Sequence, residues 1–182
     1  VKREWLNFAN ATESQFAEFV QGRGDIICKP IDGSSGQGIC KCTPEDYKDV
    51  QALYERLKAA GIGIVEDKGI QHEAIAALCP TSVNTIRVAT LLGDKKEGIV
   101  YAYIRIGNGK VMDNVDCGGM AAPINLDTGV ISGVGANKAG EVYEFHPMTG
   151  KRIPGTQIPY WEEVKAMCLK AMHVVPQVRF VA

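Results

Sequence analysis

The 182-residue chain has no apolar run long enough to cross a bilayer, which excludes a membrane-spanning helix. Its formal net charge is only −1, so no global field draws it to nucleic acid or to an anionic membrane. The amino terminus, Val-Lys-Arg-Glu-Trp, does not have the organisation of a signal peptide. It also lacks an initiating methionine, so the expectation is a chain that begins inside a longer protein. There is no Gly-x-Ser-x-Gly elbow, and Ser/His/Asp catalysis has no support. The Gly109-Lys110 and Gly150-Lys151 pairs are followed by Val111 and Arg152, not by Ser or Thr, which disfavours a Walker-type NTPase. Internal repeats and low-complexity segments are absent.

Cysteine is present, but not in a metal-binding spacing. Cys40 and Cys42 alternate on a predicted strand and share a face, yet they do not make the Cys-x-x-Cys of a zinc knuckle. Nothing marks the chain as secreted, and its apolar content can build a core without disulfides. The six cysteines are therefore expected to be mostly reduced, buried thiols in a cytoplasmic protein. The three histidines, His72, His146 and His173, are scattered without ligand spacing.

What the chain does have is a strand, a glycine-rich loop and a second strand between Ile26 and Ile39. A short apolar run ends in Lys29, and Pro30 stops regular pairing. Gly33, Ser34, Ser35, Gly36, Gln37 and Gly38 follow. Such a loop can wrap backbone N–H groups around phosphate oxygens, with Lys29 supplying charge from the strand beneath. A plain glycine-rich hairpin with an exposed lysine is the competing explanation.

Around this stretch the pattern is α+β. Thr12 and Gln15 have capping-box spacing before a helix with Phe16, Phe19 and Val20 on one face. Thr43 as N-cap and Pro44 at the first helical position open a second helix, whose stripe is Tyr47, Val50, Leu53, Tyr54 and Leu57 and whose stop is Gly61. Ile62 to Glu66 reads as a strand, and Gln71 to Leu78 as a helix closed by Cys79-Pro80. Strands are then predicted over 84–92, 98–106, 121–126, 130–134 and 141–145, mainly antiparallel by connection length. Pro159 to Met172 reads as a helix with Trp161, Val164, Met167, Cys168 and Ala171 on one face, and the final Val-Arg-Phe-Val-Ala as the start of a strand. The expected domains are a small lobe over 1–66 and a larger sheet-based lobe over 67–182.

Several residues stand out chemically. Arg87 lies in an otherwise apolar strand, and a buried arginine needs an anion: either a core carboxylate or a bound phosphate or carboxylate. Asn84, three residues earlier, points to the opposite face. Arg105 also has apolar neighbours. Asp113-Asn114 precede Gly118-Gly119, which permit either a close approach to a ligand or a bulge. Glu66-Asp67 ends the strand that joins the lobes, either as a ligand-facing hinge or as a solvated turn. His146-Pro147 lies in a loop that can touch substrate, and His173 near a helix end reads as a dipole partner.

Taken in order, these motifs resemble one family. Lys29-Pro30 followed by Gly33-Ser34-Ser35-Gly36-x-Gly38 is similar to the phosphate-covering segment of ATP-grasp ligases, and Ile64-Val65-Glu66 to their adenine-binding hinge. Ser82 to Arg87, Arg105-Ile106-Gly107, Asp113-Asn114, Gly118-Gly119, Asp127-Thr128-Gly129, His146-Pro147-x-Thr149-Gly150 and Ile158-Pro159-x-Trp161 resemble the sugar-transfer-associated, alpha-L-glutamate-ligase-related branch. The resemblance covers nearly the whole chain. It implies an ATP-grasp-like α+β fold of two small lobes with largely antiparallel sheets. It also implies a carboxylate–amine ligase that uses ATP and Mg2+, with an acylphosphate intermediate and an amide or peptide product, in cell-surface polysaccharide or amino-acid ligation.

By that resemblance Lys29 contacts the ATP phosphates, the Gly33–Gly38 loop covers them and Glu66 holds adenine. Arg87 is the catalytic candidate, steadying the transferred phosphoryl group. Asn84, Arg105, Asp113, Asn114, Gly118, Gly119 and His146 are candidate substrate contacts. No residue is assigned to metal: the acid strand and Glu-x-Asn that hold magnesium in such enzymes do not occur before Ala182, and the lobe that precedes the core in them is missing too. The expectation for this polypeptide alone is little or no ligase activity, which robust magnesium-dependent ADP release would contradict. A non-catalytic nucleotide-binding or assembly module is the alternative, and an inert structural α+β domain a third. An exposed sheet edge where further strands would pair predicts a homodimer.

Overall fold

In the computed structural model, which describes residues 3–32, 36–95 and 97–182, the capping box forms as the spacing predicts. The Gln15 N–H donates to Thr12 Oγ1 (3.3 Å) and the Thr12 N–H to Gln15 Oε1 (2.9 Å). Helix α1 (Glu13–Val20) turns Phe16 and Val20 inward, and Gly22 at φ +72° follows its end. Thr12→Ala is expected to cost about 1 kcal/mol. Urea unfolding would show this as a lower midpoint at unchanged slope; an unmoved midpoint would mean that the cap contributes nothing.

The chain is a mixed α+β protein that divides into two units, Val1–Ile70 and Gln71–Ala182. Residues beyond Glu66 bond back into the first unit: the Asp67 N–H donates to Glu4 O (2.9 Å) and the Lys68 N–H to Asp25 O (3.1 Å).

The first unit holds β1 (Trp5–Asn7), β2 (Ile26–Pro30), β3 (Cys40–Cys42) and β4 (Ile62–Asp67), in the antiparallel order β1-β4-β2-β3. Phe8, Phe16, Leu53, Leu57, Ile26, Cys28, Cys42 and Val65 form its core. The second helix starts later than its signals suggest. Residues 46–49 make a 3-10 turn, and α2 (Val50–Ala59) begins with Asp49 as N-cap, accepting the Ala52 N–H at 2.9 Å. The cause is Asp46, whose carboxylate accepts both the Thr43 N–H (2.8 Å) and the Thr43 hydroxyl (3.1 Å), so the cap residue is itself capped and the first turn tightens. The predicted stripe still faces inward, with Leu53 and Leu57 buried and Tyr47, Val50 and Tyr54 packed beside them.

The second unit is a six-stranded antiparallel sheet. Its strands are β5 (Thr85–Leu92), β6 (Glu97–Ile106), β7 (Met120–Pro123), β8 (Gly135–Asn137), β9 (Val142–Tyr143) and β10 (Phe180–Val181), in the order β10-β5-β6-β7-β8-β9. Helix α3 (Glu73–Ala76) is shorter than predicted. His72 Nδ1 caps it by accepting the Ala74 N–H, while the Gln71 side chain is spent on Ser82 O (2.6 Å) and the Asn84 N–H (3.1 Å). The strand expected over 130–134 is replaced by single bridges at Val130 and Ile131 and by β8 further on, because Ile131 exchanges its backbone bonds with residues 155–156. Helix α4 (Trp161–Met172) begins with a buried Trp161 whose Nε1–H donates to Leu126 O (2.9 Å). Among the described residues no helix is long and apolar enough to cross a membrane.

Candidate functional site

In the first unit the two faces of β2 have different chemistry, as strand alternation requires. Ile26 and Cys28 point into the core; Ile27 and Lys29 point away from it. The β2–β4 register sets Ile27 opposite Glu66 and Lys29 opposite Ile64, so Lys29 and Glu66 are diagonal neighbours on one face. Their side chains meet, with Lys29 Nζ 2.7 Å from Glu66 Oε1, and Arg3 Nη1 approaches the same oxygen at 3.3 Å. The Lys29 side chain stays 38% exposed, so its ammonium can exchange this carboxylate for an incoming anion.

Beyond Lys29 the register shifts and the chain leaves the sheet. Gly36 (φ +79°) and Gly38 (φ +75°) take left-handed conformations, and a Cβ on Gly38 would lie 3.2 Å from the Pro30 ring. Gln37 is exposed. Gly33, Ser34 and Ser35 lie outside the described residues.

The core face of the same strand carries a group that the sequence reading does not assemble. Cys28 pairs opposite Cys40 across the β2–β3 hairpin, and Cys42 follows on the same face. The three Sγ atoms lie within 4.8 Å of one another, Cys28 to Cys42 at 3.8 Å, and none of the six cysteines is paired in a disulfide. Hydrogen bonds from Cys28 and Cys42, with Arg56 nearby, hold the Cys40 thiol below its usual range; the same contact pushes Cys28 up. The missed signal was the matched alternation of 26/28 with 40/42 on either side of the glycine loop.

In the second unit Arg87 is exposed, which corrects the expectation of a buried arginine. Its apolar neighbours Ile86 and Val88 pair with Ile104 and Ala102 on the core face, whereas Arg87 pairs with Tyr103 on the other. The carboxylate partner foreseen for Arg87 belongs to Arg105 instead. Arg105 lies opposite Thr85 in register, and its Nε and Nη2 donate to Thr85 Oγ1 at 2.9 and 2.7 Å. The Thr85 hydroxyl in turn donates to Asp113, whose Oδ2 also accepts the Thr85 N–H (2.8 Å) and stands 3.6 Å from Arg105 Nε. Thr85 is therefore the relay between the two charges, a role its neighbours in sequence do not suggest. Arg87 is diagonal to Arg105 on this face, and both line a cleft of about 450 Å³ along β5 with Thr85, Val164, Met167 and Cys168.

The remaining candidates lie among partners within the second unit. Asn84 is buried: its amide donates to Ile75 O and Cys79 O (3.0 and 3.1 Å), and its Oδ1 accepts the Gly107 N–H (3.0 Å). His146 is 1% exposed; its Nδ1 accepts the Met148 N–H (3.3 Å), so the proton sits on Nε2, which donates to Gly107 O (2.7 Å). Asn114 caps the 3-10 turn over 115–117, with Gly118 at φ +95° closing it. Gly119 sits among the backbone carbonyls of Ile106, Asp113 and Asn114. The structure thus brings together Lys29 with Glu66, and Arg105 with Asp113 and Thr85, and gives Asn84 and His146 internal partners.

A family model described as sugar-transfer associated ATP-grasp matches residues 6–182. No curated protein matches the chain.

Proposed function

The chain belongs to the sugar-transfer associated ATP-grasp family, and from that premise we propose that it binds ATP and takes part in the ATP-dependent joining of a carboxylate to an amine. The observation that carries this is Lys29 at the end of β2. It is a half-exposed ammonium at the root of the glycine loop, held 2.7 Å from Glu66 on the neighbouring strand. The residues present fit a nucleotide: a partly exposed cation, glycines whose left-handed backbone permits close approach to a phosphate, and a carboxylate at the strand end able to accept from an adenine amino group or a ribose hydroxyl. Bound ATP supplies the phosphoryl group that activates the acid. Lys29 orients its phosphates. In the second unit Arg87, an exposed planar cation on β5, is the candidate for holding a phosphoryl or carboxylate oxygen.

Magnesium fits the described residues less well. Their only cluster of three or more His, Cys, Asp or Glu ligand atoms is the thiol trio, and soft sulfur does not suit an ion that takes oxygen. No magnesium ligand is assigned among them.

Calorimetric titration with ATP tests the proposal. Lys29→Ala is expected to weaken binding by about ten- to a hundredfold, the 1.5–3 kcal/mol of a charge-assisted hydrogen bond, and Lys29→Arg to weaken it less. Equal heats for wild type and Lys29→Ala would overturn it.

A further inference from the structure

We propose that Cys28, Cys40 and Cys42 form a three-thiolate site for a thiophilic d10 metal ion, Zn(II) or Cu(I), on the core face of the β2–β3 hairpin. Thiolate–metal bonds of about 2.3 Å place sulfurs around one ion about 3.8–4.0 Å apart, for tetrahedral and trigonal angles respectively. Cys28 and Cys42 already stand at 3.8 Å, and no pair in the trio exceeds 4.8 Å. Sub-ångström side-chain adjustment closes the triangle. The ligands come from paired strands, not from a loop, so the backbone fixes their spacing: Cys28 opposite Cys40, Cys42 two residues on.

Three cysteines in a core can also be plain apolar filler. Two features argue for a site. Cys40 is only partly buried and gives the trio an opening, while Cys28 and Cys42 are closed off. The Arg56 guanidinium, anchored 3.2 Å from Asp46, is close enough to interact with both Cys40 and Cys42. It offsets the single negative charge left by three thiolates on Zn(II). The sulfurs bind as thiolates, each proton still on sulfur passing to solvent as its S–metal bond forms, and no electron moves. The ion would tie β2 to β3 directly below the glycine loop and one residue from Lys29, so it would stiffen the root of that loop.

The full chain, reduced and stripped with chelator, is titrated with Zn2+ against a chromophoric chelator and, anaerobically, with Cu(I) against a Cu(I)-selective one. The expected result is one equivalent bound through desalting in at least one arm, with a rise in thermal midpoint. The arm that succeeds identifies the ion. Cys28→Ser and Cys42→Ser are expected to lose at least tenfold in affinity. Because both are buried, the partly buried Cys40→Ser, checked for an unchanged circular dichroism spectrum, carries the decision, and Cys168→Ser is the control. No stoichiometric binding in either arm, or wild-type affinity in Cys40→Ser, overturns the proposal. None of these readouts involves nucleotide, so they stand apart from the test of ATP binding.

Discussion

Gly119→Ala is expected to destabilise the second unit by about 3 kcal/mol, the upper end of what overpacking costs. A Cβ at this position would stand 2.4 Å from Asp113 O, 2.9 Å from Ile106 O and 3.0 Å from Asn114 O. All three are backbone atoms, so no rotamer change relieves the contact. The Gly119 N–H meanwhile donates to Asn114 O (3.1 Å), which holds the residue in the cage. Relief has to come from moving the segment that carries Asp113, and with it the carboxylate that organises Thr85 and Arg105. Gly118→Ala is the informative comparison. Gly118 has φ +95° but nothing within 4 Å of an added methyl, so it should lose only the about 1–2 kcal/mol of a left-handed backbone. Urea unfolding of the pair separates the two causes: equal midpoints would show that the carbonyl cage yields.

The two neighbouring glycines show where sequence reasoning reached and where it stopped. Their pairing beside Asp113-Asn114 was legible as a place of close approach or a bulge, but not what approaches: it is the chain's own backbone. Features held within a few residues were read well, such as Thr12 with Gln15, because a capping box is decided by local geometry. Features that depend on register were not. Lys29 and Glu66 could each be singled out, yet their contact rests on β2 pairing with β4 across more than thirty residues. Arg87 and Arg105 have the same kind of apolar neighbours, and only the β5–β6 register decides that Arg105 meets a carboxylate and Arg87 faces outward. Cys28 was separated from Cys40 and Cys42 by the glycine loop, and spacing rules for metal ligands within one segment do not reach across a hairpin.

Asp113→Ala should cost about 3–5 kcal/mol, the loss when one partner of a largely buried charged pair is removed. Asp113 is 7% exposed, and its Oδ2 accepts both the Thr85 N–H and the Thr85 hydroxyl. Alanine leaves that N–H and hydroxyl, and the Arg105 guanidinium behind them, without the carboxylate that satisfies them. Asp113→Asn keeps the volume and one carbonyl acceptor, so it should cost about 1–2 kcal/mol through the lost charge alone. Thr85→Val separates relay from direct attraction. If the hydroxyl couples the two charges, a cycle of Asp113→Ala and Arg105→Met in the threonine background should show a coupling of about 1 kcal/mol or more, and in the valine background much less, since 3.6 Å leaves only a weak direct contact. Undiminished coupling with valine would mean that Arg105 reads Asp113 directly and that Thr85 merely fills space. The outcome bears on the proposed substrate contacts as well. With Thr85 as relay, Arg105 is held in place beside the cleft it shares with Arg87, and a phosphate or carboxylate entering there would meet one cation already positioned, not two that must both be ordered on binding.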